Sequence, residues 1–160
     1  MDKDSFEILI DTVQRFVRER LVPSEQQVAE ENRIPDGLAN EIRELGLFGL
    51  AIAEEYGGLG LSMEEEVRVA LELGQTSPAF RSLVGTNIGI GSQSIIMAGT
   101  AEQKRKYLPR LASGETIGSF ALTEPDAGSD ALSISTTAMR DGDDYIINGT
   151  KRYITNAPVA

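Results

Sequence analysis

From residue 1 to about 115, apolar positions recur at spacings of three and four. Phe6, Leu9, Ile10, Val13, Phe16, Val17 and Leu21 form one stripe, the mark of a helix with a single inward face, and Pro23 ends it. A short polar helix over Ser24–Asn32 is predicted next. Asp36 is placed to cap a third helix whose inward face is Leu38, Ile42 and Leu45, with Gly46 at its end. Ser62 and Glu65 read as a capping box ahead of Val67, Leu71 and Leu73. Pro78 suits the first turn of a long helix running toward Gly99. Thr100 and Gln103 make a second capping box before Tyr107, Leu108 and Leu111, and Ser113-Gly114 stops that helix. The pattern predicts five or six helices joined by short loops, with Met97 as core filling.

After Gly114 the period changes to two. Residues Thr116–Glu124 are apolar, small and β-branched, and Ile134–Met139, Tyr145–Asn148 and Arg152–Thr155 alternate. Asp141-Gly142-Asp143-Asp144 and Asn148-Gly149-Thr150 separate these runs, and Asn148-Gly149 carries the stronger tight-hairpin signal. Met139 is expected to fill the core. The fold class is therefore α+β: an all-α domain over residues 1–115, then the start of an antiparallel, barrel-like β domain over 116–160. That β unit reads as unfinished, either part of a longer protein or a sheet whose open edge pairs with another chain.

Charge and composition narrow the chemistry. The net charge of −10 argues against a nucleic-acid partner, and the acid excess all falls within residues 1–76, as solvated helix faces do. The 160 residues include no Cys and no His. Thiolate nucleophiles, histidine-based triads and Cys/His metal sites are closed to this chain acting alone, so no metal is expected. No apolar run reaches the ~20 residues that span a bilayer, and a cytoplasmic location is the expectation. Lys104, Arg105, Lys106 and Arg110 read as a solvated helix face, and Tyr56-Gly57-Gly58 as a turn linking helices.

The densest local signal is Phe120-Ala-Leu-Thr-Glu-Pro-Asp-Ala-Gly-Ser-Asp130. Here a strand delivers Thr123 to its end, Pro125 stiffens the exit, and Ala127-Gly128-Ser129 lets backbone approach a ligand. Free amides and hydroxyls of this kind suit an anion, although an ordinary strand–turn–strand corner has the same composition. Neither G-x-G-x-x-G nor a P-loop is present.

This stretch resembles the first signature segment of the acyl-CoA dehydrogenase family. Three further blocks are similar to that family in the same order: Glu54–Gly60, Gly99–Gly114 and Ile147–Asn156. The resemblance implies flavoenzymes of fatty-acid metabolism, with a helical N-terminal domain, a middle β domain and a C-terminal helical domain, assembled as homo-oligomers (dimers or tetramers). It implies FAD as cofactor and an acyl-CoA thioester as substrate. A carboxylate removes the α-proton, the β-hydrogen passes to the flavin as hydride, and an electron-transferring flavoprotein reoxidises it.

Residue by residue, the resemblance places Phe120, Ala121, Leu122 and Thr123 along the flavin, with the Thr123 hydroxyl near its pyrimidine end. Gly128 and Ser129 fall beside FAD and the CoA arm, Ser129 also contacting substrate. Tyr153, Ile154 and Thr155 pass the isoalloxazine ring, Thr155 near N5. Tyr153 stands where many members have Trp, and Asp126 where others have Gly. Asn87, Ser92 and Gln93 predict a wet side of the long helix, with Asn87–Gly91 along the acyl pocket. The proton-abstracting Glu of the family belongs to its C-terminal domain, so no catalytic residue is assigned here and the chain alone is expected to be inactive. Glu124 is read as part of the turn. An acyl-CoA oxidase or a flavin monooxygenase of the same superfamily is the alternative enzyme, and a non-catalytic helical interaction module the alternative from another class.

Overall fold

The computed structural model describes all 160 residues. α1 (Lys3–Phe16) starts where Asp2 accepts the Ser5 amide, and continues through a π turn at Val17–Leu21 and a tighter turn at Val22–Ser24 around Pro23. α2 (Glu25–Glu31) ends at Asn32 in the left-handed region, and α3 is Asp36–Glu44. α4 (Met63–Leu73) and α7 (Ala101–Ala112) carry the two expected capping boxes, from Ser62/Glu65 and Thr100/Gln103. α5 (Pro78–Gly85), a π segment at Thr86–Gly91 and α6 (Ser92–Ala98) follow without a break, in the place of the single long helix. No helix is long and apolar enough to cross a membrane. β1 (Thr137–Asp141) and β2 (Asp144–Asn148) then pair antiparallel, from Thr137 opposite Asn148 to Asp141 opposite Asp144. A helical unit followed by an antiparallel pair is the α+β arrangement the periodicity predicts.

The core belongs to the helices. Twenty buried apolar side chains, from Phe6 to Ile117, form one cluster, and Ile52, Leu108, Leu111 and Ala112 form a satellite under α7. Every residue of β1 and β2 is exposed, so the hairpin adds nothing to either cluster. Asn87 holds the two parts together from inside. Fully buried, it donates to the Phe48 and Leu111 carbonyls, each at 3.1 Å, and accepts the Gly118 amide at 2.6 Å. Gly91 and Gly118 make the close approach there possible. A Cβ on Gly118 would lie 3.0 Å from the Gly91 Cα, so the backbone there would have to give by a few tenths of an ångström.

Several expectations are corrected. Asp36 does not cap α3: Pro35 occupies the N-cap position and Asp36 is the first helical residue. In α4, Val67 and Leu71 are exposed and Val69 and Leu73 are buried. Both pairs have i,i+4 spacing, so the pattern fits either rotation. Arg68 bridging to Glu7 on α1, at 2.8 and 2.9 Å, accompanies the one adopted. Met97 and Met139 are exposed rather than core. Asn87 and Ser92 face the protein interior, Ser92 donating to the Ile88 carbonyl. Thr116–Glu124 and Arg152–Thr155 are not ladder strands, and the hairpin turns at Gly142-Asp143, not at Asn148-Gly149. Past Asn148 the chain leaves β1 and turns toward Glu124, where Lys151 makes its ion pair.

Candidate functional site

Segments 118–124 and 151–156 run side by side in opposite directions. A single backbone hydrogen bond joins them, from the Arg152 amide to the Thr123 carbonyl at 2.8 Å. Side chains supply the other links. Ser119 Oγ donates to the Thr155 carbonyl at 2.8 Å, and Asn156 Nδ2 donates to the Gly118 and Leu83 carbonyls. Lys151 Nζ donates to the Leu122 carbonyl at 3.0 Å and to Glu124 Oε1 at 2.9 Å. The pair is thus pinned at both ends, with its middle left open.

A groove of about 180 Å³ lies in that middle. One wall is Phe120, Leu122 and Thr123, the other is Tyr153, Ile154 and Thr155, and Thr86 and Ile90 of the π segment form the floor. π turns widen a helix locally and recur at functional sites. The hydroxyls of Thr123 and Thr155 take no part in the bonds that pin the walls. Phe120 and Tyr153 expose their rings, Tyr153 to 78%, with the Arg152 guanidinium 4.6 Å from the Tyr153 ring centre. Tyr153 has φ +58°, a left-handed conformation uncommon for a bulky side chain. Flat apolar surface edged by unengaged hydroxyls is the donor set a heteroaromatic ring with polar rims requires, so the residues present fit a flavin.

Of the nine residues assigned to a site from the sequence, six share this groove: Phe120, Leu122, Thr123, Tyr153, Ile154 and Thr155. Ala121 is exposed and does not line it. Gly128 and Ser129 are exposed on the turn beyond the Glu124–Ala127 bridge. Within the Asn87–Gly91 stretch only Ile90 reaches the groove, because Asn87 is committed to three bonds of its own. Thr86 and Lys151 were not singled out. Thr86 shows in the sequence only as one turn before Ile90, and Lys151 only as the cation two residues ahead of the Tyr153 wall.

Glu124 is buried at 4% exposure. Its Oε2 accepts the Ser135 amide at 2.6 Å and the Ser135 hydroxyl at 2.7 Å, and its Oε1 accepts the Thr136 amide at 2.9 Å, the Thr136 hydroxyl and Lys151. The Thr136 hydroxyl, then the Lys151 ammonium and the Ser135 donors, hold this carboxyl far below the usual carboxylate range. A carboxylate so fully engaged is a brace and not a base.

Comparison with known proteins bears on what the groove serves. The family model for the acyl-CoA dehydrogenase N-terminal domain matches residues 3–115, and that for the middle domain matches 119–160. An acyl-CoA dehydrogenase of Bacillus subtilis is 36% identical over 148 residues, covering 92% of this chain and 39% of its own. An acyl-CoA dehydrogenase from Bacillus anthracis complexed with FAD superposes with a TM-score of 0.88 at 36% identity, over 99% of this chain and 27% of that one. A glutaryl-CoA dehydrogenase from Mycobacterium smegmatis in complex with FADH2 gives 0.88 at 40% identity, over 100% and 41%. The chain spans about two fifths or less of the length of these relatives. With both family models matched in order along nearly its whole length, the chain belongs to the acyl-CoA dehydrogenase family.

Proposed function

We propose that this chain forms the N-terminal helical domain, residues 1–115, and the first part of the middle domain, residues 116–160, of an FAD-dependent acyl-CoA dehydrogenase. The groove between Phe120–Thr123 and Tyr153–Thr155 carries this reading. In it the Thr123 and Thr155 hydroxyls hold the polar edges of the flavin, and Tyr153 and Phe120 cover its flat surface. Ile90 and Thr86 close the floor, excluding water from the ring on that side. When bound, FAD supplies the two-electron acceptor for a hydride leaving the β-carbon of an acyl-CoA thioester. This chain orients the acceptor, and removal of the α-proton falls to a residue outside it. Gly128 and Ser129, on their exposed turn, face the CoA arm in the same reading. The physiological oxidant is an electron-transferring flavoprotein, and the working form is a homo-oligomer.

The test uses the protein expressed from its complete reading frame. It is expected to purify yellow, or to take up FAD on reconstitution, and to lose its visible flavin absorbance when an acyl-CoA is added without oxygen. Colour should return with an artificial acceptor faster than with air. A protein that stays colourless after reconstitution refutes the proposal, and rapid recovery in air alone refutes a dehydrogenase as against an oxidase.

A further inference from the structure

The Glu124–Lys151 pair stands outside the groove and touches both of its walls. Glu124 directly follows Thr123 in the chain, and Lys151 lies two residues before Tyr153. Their side chains are 3% and 21% exposed, and the ammonium spends its second bond on the Leu122 carbonyl. At this end the walls share just one backbone bond, Arg152 to Thr123, so no ladder fixes how far one segment slides along the other. Each carboxylate oxygen is also tied to the Ser135–Thr136 segment ahead of β1, which keeps the acidic partner in place. Removing the ammonium leaves a buried carboxylate short of its cation and the Leu122 carbonyl short of a donor. Losing one partner of such a pair costs far more than the intact pair contributes. Local movement of residues 150–153 relieves that cost most directly.

We propose that Glu124 and Lys151 are positioning residues for the cofactor groove. Their ion pair, with the lysine bond to Leu122, sets the register of the Thr123 wall against the Tyr153–Thr155 wall, and hence the spacing of the groove's two hydroxyls and its aromatic ring. The inference rests on the flavin reading of the groove. Binding sites need their contacting groups held within about 0.5 Å, so a slip of a fraction of a residue is enough to spoil this one.

The experiment compares Lys151→Met, Lys151→Arg and Thr136→Val in the complete protein, with FAD Kd, the shape of the flavin absorption bands and the thermal midpoint as readouts. Lys151→Met keeps the aliphatic stem and removes the charge. It is expected to raise Kd roughly tenfold and to move the bands toward those of free FAD. Lys151→Arg keeps a donor for both partners and restores Kd and bands to near wild type. Thr136→Val removes one hydroxyl bond to Glu124 and leaves the Thr136 amide, both Ser135 bonds and the Lys151 ammonium on the carboxylate, so it lowers the thermal midpoint while Kd and spectrum stay as in wild type. If Lys151→Met lowers the midpoint but binds FAD with wild-type Kd and bands, the pair is structural only and the inference falls while the flavin reading stands. If the wild-type protein itself takes up no FAD, the flavin reading falls and the inference with it.

Discussion

Asn87 offers the sharpest test of how the helical unit carries the site. It is fully buried, and its amide meets three backbone groups from three different segments: the turn at Phe48, the end of α7 at Leu111, and the start of the groove wall at Gly118. Asn87→Leu keeps the volume and removes all three bonds. The Leu111 carbonyl still accepts from the Gly114 amide at 3.2 Å, so its loss is partial. The Phe48 carbonyl and the Gly118 amide are left without that partner, and each buried orphan costs ~1–3 kcal/mol. The expected destabilisation is about 3 kcal/mol. Asn87→Ala adds a cavity and should lose ~1 kcal/mol more. Urea unfolding followed by far-ultraviolet circular dichroism measures both, with the midpoint falling and the slope unchanged. A loss below ~1 kcal/mol for Asn87→Leu would show that water or shifted backbone satisfies these groups and that Asn87 is no hub.

Other outcomes follow from the same structure. A Cβ at Gly58 would land on the Ile52 carbonyl, a backbone group with no room to swing aside. Gly58→Ala should therefore cost at least ~3 kcal/mol in the same titration. Glu7 and Glu41 are held below the ordinary glutamate value of 4.5 by hydrogen bonds from Arg68 and Arg20, Glu65 by those from Ser62, and Glu124 by those of its cluster, whereas Glu66 is raised, because burial there meets no offsetting bond. Depressed folded-state values mean the unfolded chain takes up protons first. Stability is then full above the ordinary value and lost as pH drops below 4.5, which urea midpoints from neutral to acid pH would show. Tyr153→Asn places a residue tolerant of the left-handed region at φ +58° and removes a mostly exposed ring. Stability should hold or rise by up to ~1 kcal/mol while FAD binding weakens; a variant that loses both shows the ring was structural.

The helices were legible because their information is local. The Phe6–Leu21 stripe, both capping boxes and the Pro78 start depend on residues within one or two turns of each other. What failed depended on distant partners. The rotation of α4 is tied to Glu7, 61 positions from Arg68, and the interior role of Asn87 follows from Phe48 and Gly118. The hairpin was recognisable as alternation on either side of a turn, but two glycine-containing turns competed. Asn148-Gly149 leads instead to the Lys151–Glu124 contact, 27 positions apart in the chain. Six of the nine assigned site residues meet in one groove, yet the assignment came from resemblance. Nothing in the spacing of Thr123 and Thr155 says that they line one groove.

The failure of the strand expectation for Thr116–Glu124 and Arg152–Thr155 has a physical reason that bears on the site. In a ladder, successive side chains point to opposite faces, so neighbouring residues cannot share one surface. Here Leu122 and Thr123 line the same groove, as do the three consecutive residues Tyr153, Ile154 and Thr155. The backbone leaves the pleat on the second of these walls, through the left-handed conformation at Tyr153. Leaving the pleat removes the ladder bonds that would hold the segments in register, and the bonds from Ser119, Lys151 and Asn156 take their place. The irregular backbone, the strained tyrosine and the buried ion pair are thus one device. Each is unfavourable alone, and in the proposed reading each serves to present consecutive residues to one flat ligand.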